Sequence, residues 1–299
     1  MEQWKFGMEL PEGRHPWQVA QSLEWIRSCG YDFFEMSLTG FPLIVHGEVN
    51  QAYVKYLKPI FAQSGLSATL HIGTGLDLRS ASEYALHQKV LHSSITITAA
   101  LGARVLTVHF EQASPRQNLE AQFERAYREA AAFAQEKGIL LCIENIEVED
   151  YRLVPELIDR VNNPHFRMTL DLGHLYLSTR YFGGDYWEAI DQVVPYAAHV
   201  HLHGNTGKFE PMRLQDFDRY RQMGLNERIA FGQGDIHLPP SWGTLPVKES
   251  LERLRAGQFQ GTILLECGAD AYEPFYKEIL ADVKGYEIIR KSQGESNHG

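Results

Sequence analysis

Short apolar runs rich in β-branched and aromatic residues recur at 5–10, 32–38, 67–72, 104–110, 139–145, 167–172, 198–203 and 262–267. Each has the length and composition of a buried strand. Longer stretches between them follow the helical period. In 17–29 the apolar residues fall at Val19, Leu23, Trp25 and Ile26. The stretches 83–101 and 119–137 are long and Ala-rich, and the second stops at Gly138, a usual helix terminator. Further helical stretches lie at 154–161, 186–194, 248–254 and 275–289. Strands and helices alternating in this way predict an α/β fold, a (β/α)8 TIM barrel forming a single domain over 1–299. A doubly wound open sheet is the competing architecture. It is disfavoured because no Gly-rich dinucleotide turn follows the first strand.

One connection is out of scale. About forty residues, 204–246, separate the seventh strand from its helix. Long structureless loops are uncommon in compact domains unless they have a function. The aromatic and His content here (Phe209, Phe217, Tyr220, Phe231, His237, Trp242) points to a packed lid. The end of the chain, 291–299, reads as a frayed tail.

Four runs in the second half end in one metal-binding side chain each: Glu144, Asp171, His201 and Glu266. Taken singly, each has a plain structural use. Glu144 can cap a loop, Asp171 can start a helix, and His201 can be a hydrogen-bonded core imidazole. In a parallel barrel, however, the strand C-terminal tips converge on one face, so the four form a candidate site for one divalent cation. Oxygen and nitrogen donors without sulfur suit Mn²⁺ first, with Zn²⁺, Co²⁺ or Mg²⁺ as alternatives. His174 lies three residues past Asp171, near the same ion or its substrate. His71 and His109, also at strand ends, are placed to hold substrate hydroxyls or further metal. His199, His201 and His203 alternate and so share one sheet face. His201 is the preferred ligand and His203 the next candidate.

Composition narrows the partners. With 28 basic against 38 acidic residues the net charge is −10, which argues against nucleic acid or an anionic lipid surface as a general partner. Cys29, Cys142 and Cys267 show no paired spacing and lie in or beside apolar stretches, as expected of buried thiols in a reducing compartment. The N-terminus has no basic-then-apolar signal pattern, and no apolar run reaches the ~20 residues needed to span a bilayer. The expectation is a soluble cytoplasmic protein.

The motifs LHIG, LTVHFE, LCIEN, TLDLGH, VHLHGN, GQGDI and LLEC, in this order, resemble the xylose-isomerase-like TIM barrel superfamily. Its members include sugar isomerases and epimerases, inosose dehydratases and apurinic-site endonucleases of the AP endonuclease family 2 type. The ketose 3-epimerase branch implies that Glu144, Asp171, His201 and Glu266 hold the metal. There Glu144 and Glu266 would also act as the base/acid pair on opposite faces of a sugar carbon, and His174 would contact substrate. The resemblance therefore implies a divalent-metal-dependent isomerase or epimerase acting on a keto sugar through an enediolate. His71, His109, His203 and Arg228 are candidate substrate contacts, and a homo-dimer or homo-tetramer is the analogous assembly. The alternatives are a lyase of the inosose dehydratase type and an endonuclease-like phosphodiesterase. The endonuclease branch adds an Asp-x-His just before a Gly-x-Gly. Here LNERIAFGQG puts Asn226 and Arg228 at those positions, which makes the phosphodiesterase site look incomplete. The epimerases' substrate Arg has no clear counterpart among Lys208, Arg213 and Arg228.

Overall fold

Eight parallel strands follow one another around a closed barrel: β1 (Lys5–Glu9), β2 (Phe33–Ser37), β3 (Ser67–Ile72), β4 (Val105–His109), β5 (Leu140–Glu144), β6 (Phe166–Asp171), β7 (Ala197–Leu202) and β8 (Thr262–Leu265). Pairing of β1 with β8, from Lys5↔Thr262 to Met8↔Leu265, closes the ring. The computed structural model describes residues 3–73 and 75–294, with side chains except at Ala269 and 287–294. The strands read as nearly continuous apolar runs because both faces are covered. In β7, Val200 and Leu202 are as fully buried as His199 and His201, which occupy the alternate positions.

The surrounding helices are α1 (Val19–Ser28), α2 (Gln51–Gln63), α3 (Tyr84–Leu101), α4 (Gln117–Lys137), α5 (Leu153–Val161), α6 (Leu172–Phe182), α7 (Tyr186–Val193), α8 (Met212–Gln215), α9 (Phe217–Gln222), α10 (Leu225–Phe231), α11 (Val247–Ala256), α12 (Ala269–Tyr272) and α13 (Tyr276–Gly294). Helix α4 shows how the pattern becomes packing. Leu119, Phe123, Ala126, Tyr127, Ala130, Ala131 and Ala134 form its buried stripe, and Gly138 ends it at φ 69°.

Six helices escape the periodicity: α2, α6, the short α8, α9 and α10 within the 204–246 connection, and α12. Helix α2 carries Pro59 and buries only Val54, Leu57 and Phe61, so its apolar stripe is thin. Helix α6 begins at the residue after the last strand residue, Asp171, so its start is hidden inside an apolar motif. Helix α13 runs to Gly294, into the stretch read as a frayed tail, and the rest of that tail lies outside the described residues. Among the described residues no helix is long and apolar enough to cross a membrane, and Cys29, Cys142 and Cys267 are buried and unpaired.

A close approach sets one strand residue. Gly7 lies in register with Phe33, and a Cβ at Gly7 would overlap the buried Phe33 ring. Gly7→Ala is expected to cost about 1–3 kcal/mol by overpacking. Equilibrium denaturation should show this as a lower midpoint at an unchanged m value.

Candidate metal centre at the barrel mouth

The strand ends deliver the donors to one place. Glu144 closes β5, Asp171 closes β6, His201 sits one residue inside the end of β7, and Glu266 directly follows β8. Register aligns His109 with Glu144 and Asp171 with His201. Asn145 ties the two acidic strands together, donating to the Asp171 carbonyl at 2.9 Å and accepting the Asp171 N–H at 3.0 Å. Asp171 also caps α6, with Oδ1 accepting the His174 N–H at 2.6 Å. Its structural and chemical uses therefore coexist, since Oδ2 has no hydrogen-bond partner.

Ligand atoms of Glu144, Asp171, His201 and Glu266 all lie within 4.8 Å of one another, and all four residues are buried. His201 Nδ1 stands 3.0 Å from Glu266 Oε2 and 3.4 Å from Glu144 Oε1. The other Glu144 oxygen faces His71 Nε2 at 3.4 Å and His109 Nε2 at 3.5 Å, so His71, His109 and Glu144 form a second donor group sharing that carboxylate. Both Glu144 oxygens, Asp171 Oδ2, Glu266 Oε2 and both His201 nitrogens are buried without hydrogen-bond partners. Native interiors rarely leave so many polar atoms unsatisfied in one place. Two oxygen ligands on opposite sides of one ion stand about 4.4 Å apart at bond lengths of about 2.2 Å, so the spacing fits a divalent cation.

A third group was not expected from the sequence. His174, His203, Asp235 and His237 also lie with ligand atoms within 4.8 Å of one another. His174 Nε2 is 3.3 Å and His237 Nε2 3.0 Å from Asp235 Oδ2, and the rings of His203 and His237 stack at 3.9 Å. His237 Nδ1 donates to the Glu266 carbonyl at 2.9 Å, which turns Nε2 toward Asp235. Gly173 lies against the His203 ring so closely that a Cβ there would overlap it. This group brings an Asp-x-His to the mouth from the other side of the Gly-x-Gly than Asn226 and Arg228. Asn226 and Arg228 sit in α10 and belong to no donor group among the described residues, whereas Asp235 and His237, just after Gly232 and Gly234, join His174 and His203. The argument that a multi-metal site is incomplete therefore loses its premise. The signal was present in the sequence as Asp-x-His immediately behind Gly-x-Gly.

Glu35 and Glu9 also escaped, although both belong to runs marked as strands. Glu35 is buried under the site, 3.3 Å from His201 Nε2, 3.4 Å from His199 Nε2 and 3.5 Å from His71 Nδ1. Asking of β1 what was asked of the later strands would have found Glu9, which ends that strand, but not Glu35, which lies inside β2.

The electrostatics follow from burial of opposite charges together. Burial alone would raise Glu144 and Glu35. The surrounding imidazoles, His201 foremost, outweigh it and hold both well below the usual carboxylate range. Burial likewise disfavours charge on His201 and His174, but Glu266 and Glu144 raise the first and Asp171 and Asp235 raise the second well above an ordinary histidine. His71 is pushed up to about 9, its burial outweighed by Glu144, and His237 to about 10, its burial outweighed by Asp235. Glu9 is raised to about 8 by burial and by Glu266.

The donors open into a cavity of about 790 Å³. One wall carries Arg213, Phe217, Tyr220 and Arg228 from the 204–246 connection, and the other carries Glu9, Glu12 and Tyr272. Arg213 reaches Glu147 at 2.9 Å, and Arg228 donates to the Tyr220 hydroxyl at 2.7 Å and the Asp235 carbonyl at 2.5 Å. Lys208 does not line the cavity. Phe209, Phe231 and Trp242, from the aromatic set of that connection, do not line it either. Phe209 stacks on Tyr181, Phe231 is exposed, and Trp242 packs on Tyr272 and Phe275.

Similar architecture occurs in several solved proteins. 3-Keto-D-glucoside 4-epimerase from E. coli is 17% identical, with 95% of this chain and 100% of that one covered at a TM-score of 0.66. D-Allulose 3-epimerase from Methylomonas sp., in complex with D-allulose, is 14% identical over 95% and 97% at 0.67. A xylose isomerase-like TIM barrel protein from Mycobacterium smegmatis, in complex with magnesium, is 16% identical over 94% and 97% at 0.66. At these identities the likeness is one of fold. No curated protein matches the chain in sequence. The family profile described as xylose isomerase-like TIM barrel matches residues 23–287, most of the sequence. The chain belongs to the xylose isomerase-like TIM barrel family.

Proposed function

We propose that this protein is a divalent-metal-dependent sugar epimerase or isomerase acting on a keto sugar or keto-sugar derivative. The observation that carries the reading is the convergence of Glu144, Asp171, His201 and Glu266, unsatisfied and buried, within the span of one ion's ligand sphere. Solved neighbours titled as sugar epimerases, one of them holding its sugar, support the substrate class. These four residues would hold the cation, Mn²⁺ foremost, with Zn²⁺, Co²⁺ or Mg²⁺ as alternatives. When bound, the cation supplies Lewis-acid polarisation of the substrate carbonyl.

The chain's own residues do the rest. Glu144 and Glu266, on non-adjacent strands, serve as the base and acid pair. One removes the proton from the carbon beside the carbonyl, giving an enediolate. The other returns a proton from the opposite face for epimerisation, or at the neighbouring carbon for isomerisation. His174, His71 and His109 line the same cavity and hold substrate hydroxyls, with His203 and Arg228 as further contacts on the side of α10. The 204–246 connection acts as a lid, its Phe217 and Tyr220 facing the cavity. A homo-dimer or homo-tetramer in a reducing cytoplasm is the accompanying expectation.

The test is deuterium uptake. Keto sugars and keto-glycosides incubated with Mn²⁺-loaded protein in D₂O should exchange the proton at the reacting carbon. A panel with no exchange above the protein-free rate would overturn the reading. The same experiment scored by product mass separates epimerisation from loss of water, as an inosose-type dehydratase would give.

A second reading is a multi-metal phosphodiesterase. It is favoured by one observation, the His174, His203, Asp235 and His237 group beside the His71, His109 and Glu144 group. Elemental analysis of purified protein separates the two. About one metal per chain is expected for the epimerase, and two or three would move the assignment to the phosphodiesterase.

A further inference from the structure

A polar layer lies directly beneath the candidate ligands. Thr69 donates to Glu35 Oε2 at 2.8 Å, the Thr107 and Thr169 hydroxyls meet at 2.9 Å, and His199 Nδ1 meets the Thr262 hydroxyl at 2.7 Å. Glu35 is the carboxylate in this layer and is 2% exposed. Its Oε1 has no hydrogen-bond partner, yet it stands 3.3 Å from His201 Nε2, which has none either. The same oxygen is 3.5 Å from His71 Nδ1. The opposite nitrogen of His201, Nδ1, points up at Glu144 and Glu266, whereas His71 turns Nε2 toward Glu144 and its Nδ1 also stands 3.6 Å from Glu266 Oε1.

From this geometry we infer that Glu35 is a positioning residue, which accepts the Nε2–H of His201 and so fixes the ring's tilt and tautomer with the Nδ1 lone pair facing the cation site. The inference rests on the metal reading above. An imidazole that ligates through one nitrogen carries its proton on the other, and a carboxylate behind that proton orients the ring and raises its basicity. Glu35 is better placed for this than for ligation. Thr69 occupies its Oε2 from below, and its Oε1 faces the outer nitrogen of His201, although a Glu35 oxygen also lies within 4.8 Å of ligand atoms of His71 and Glu266. His71 shares the same acceptor, which couples the orientation of two rings to one side chain.

Calorimetric titration of MnCl₂ into metal-stripped wild-type and Glu35→Gln protein tests this, with thermal melts of both. We expect Glu35→Gln to bind about 10- to 100-fold more weakly at unchanged stoichiometry. Affinity within about threefold of wild type, or loss of one Mn²⁺ equivalent, would overturn the assignment, the latter because Glu35 would then be a ligand. Should the variant not fold, ¹⁵N-histidine NMR of Zn²⁺-loaded wild type decides. The His201 proton is expected on Nε2, and a proton on Nδ1 overturns the proposal. Wild-type protein that takes up no Mn²⁺ overturns the metal reading and this one together. Equal binding by wild type and variant overturns this one alone.

Discussion

Glu144→Gln and Glu266→Gln are each expected to abolish proton exchange at the substrate carbon, lowering the rate by at least about 10²- to 10⁴-fold, the range of a positioned acid or base. Glutamine keeps the volume and one oxygen donor but cannot carry the proton. The two variants should differ in a second respect. Glu144 is shared between His201, His174, His71 and His109, whereas Glu266 touches His201, His71 and, at 3.9 Å, His237. Glu144→Gln should therefore also weaken cation binding more. Deuterium incorporation read beside Mn²⁺ titration separates loss of chemistry from loss of metal. A variant at either position that exchanges at the parent rate would end the two-glutamate scheme.

Cation affinity should climb steeply with pH. In the metal-free protein His201 is held well above an ordinary histidine and His71 near 9 by the carboxylates around them, so both imidazoles carry protons at neutral pH. To ligate, His201 must lose its proton, and a cation bound to Glu144 and Glu266 removes the negative charge that holds the proton on His71. Each titrating imidazole contributes at most about tenfold in affinity per pH unit, so His71 alone accounts for up to about 50-fold between pH 7 and pH 9. The stability of the metal-free protein moves the other way. A histidine whose pKa rises on folding, here to about 9 for His71 and about 10 for His237, stabilises the fold fully below 6.5, and that contribution is lost as pH rises through the folded values. The gap in melting temperature between loaded and stripped protein should therefore widen from pH 6.5 to 10. Calorimetry in two buffers of different ionisation enthalpy counts the released protons. A pH-independent affinity would show that the imidazoles are neutral and that the carboxylate–imidazole contacts do not set the site's charge.

The barrel was legible because each of its strands is covered on both faces. Burial on both sides forces a run such as ILLCIE at 139–144 to be almost wholly apolar, and that is visible without any partner in view. The same continuity makes a carboxylate at the strand's end conspicuous, which is why Glu144, Asp171 and Glu266 could be picked out singly. Glu35 was harder to see. It lies inside FFEMS, and nothing local distinguishes a carboxylate aimed at two imidazoles from a solvated one. Asp235 and His237 were harder still. They belong to a 43-residue connection whose path across the mouth is set by contacts such as the Gly204–Leu238 bridge and Arg228 on the Asp235 carbonyl. Counting backward from Gly-x-Gly selected Asn226 and Arg228 and passed over the Asp-x-His that follows it, and the fold of that connection shows that this pair reaches the mouth.

Local patterning by itself determined the alternation of strand and helix, the closed parallel architecture and the chemical type of the donors, because hydrophobic period and residue identity are properties of the chain alone. Tertiary structure decided which donors meet. The shared carboxylate of Glu144, the carboxylate floor at Glu35 and the Asp235–His237 wall depend on distances between segments 27 to 231 residues apart, and no one-dimensional spacing encodes them. The number of clusters at the mouth, and with it the choice between single-metal and multi-metal chemistry, follows from that packing.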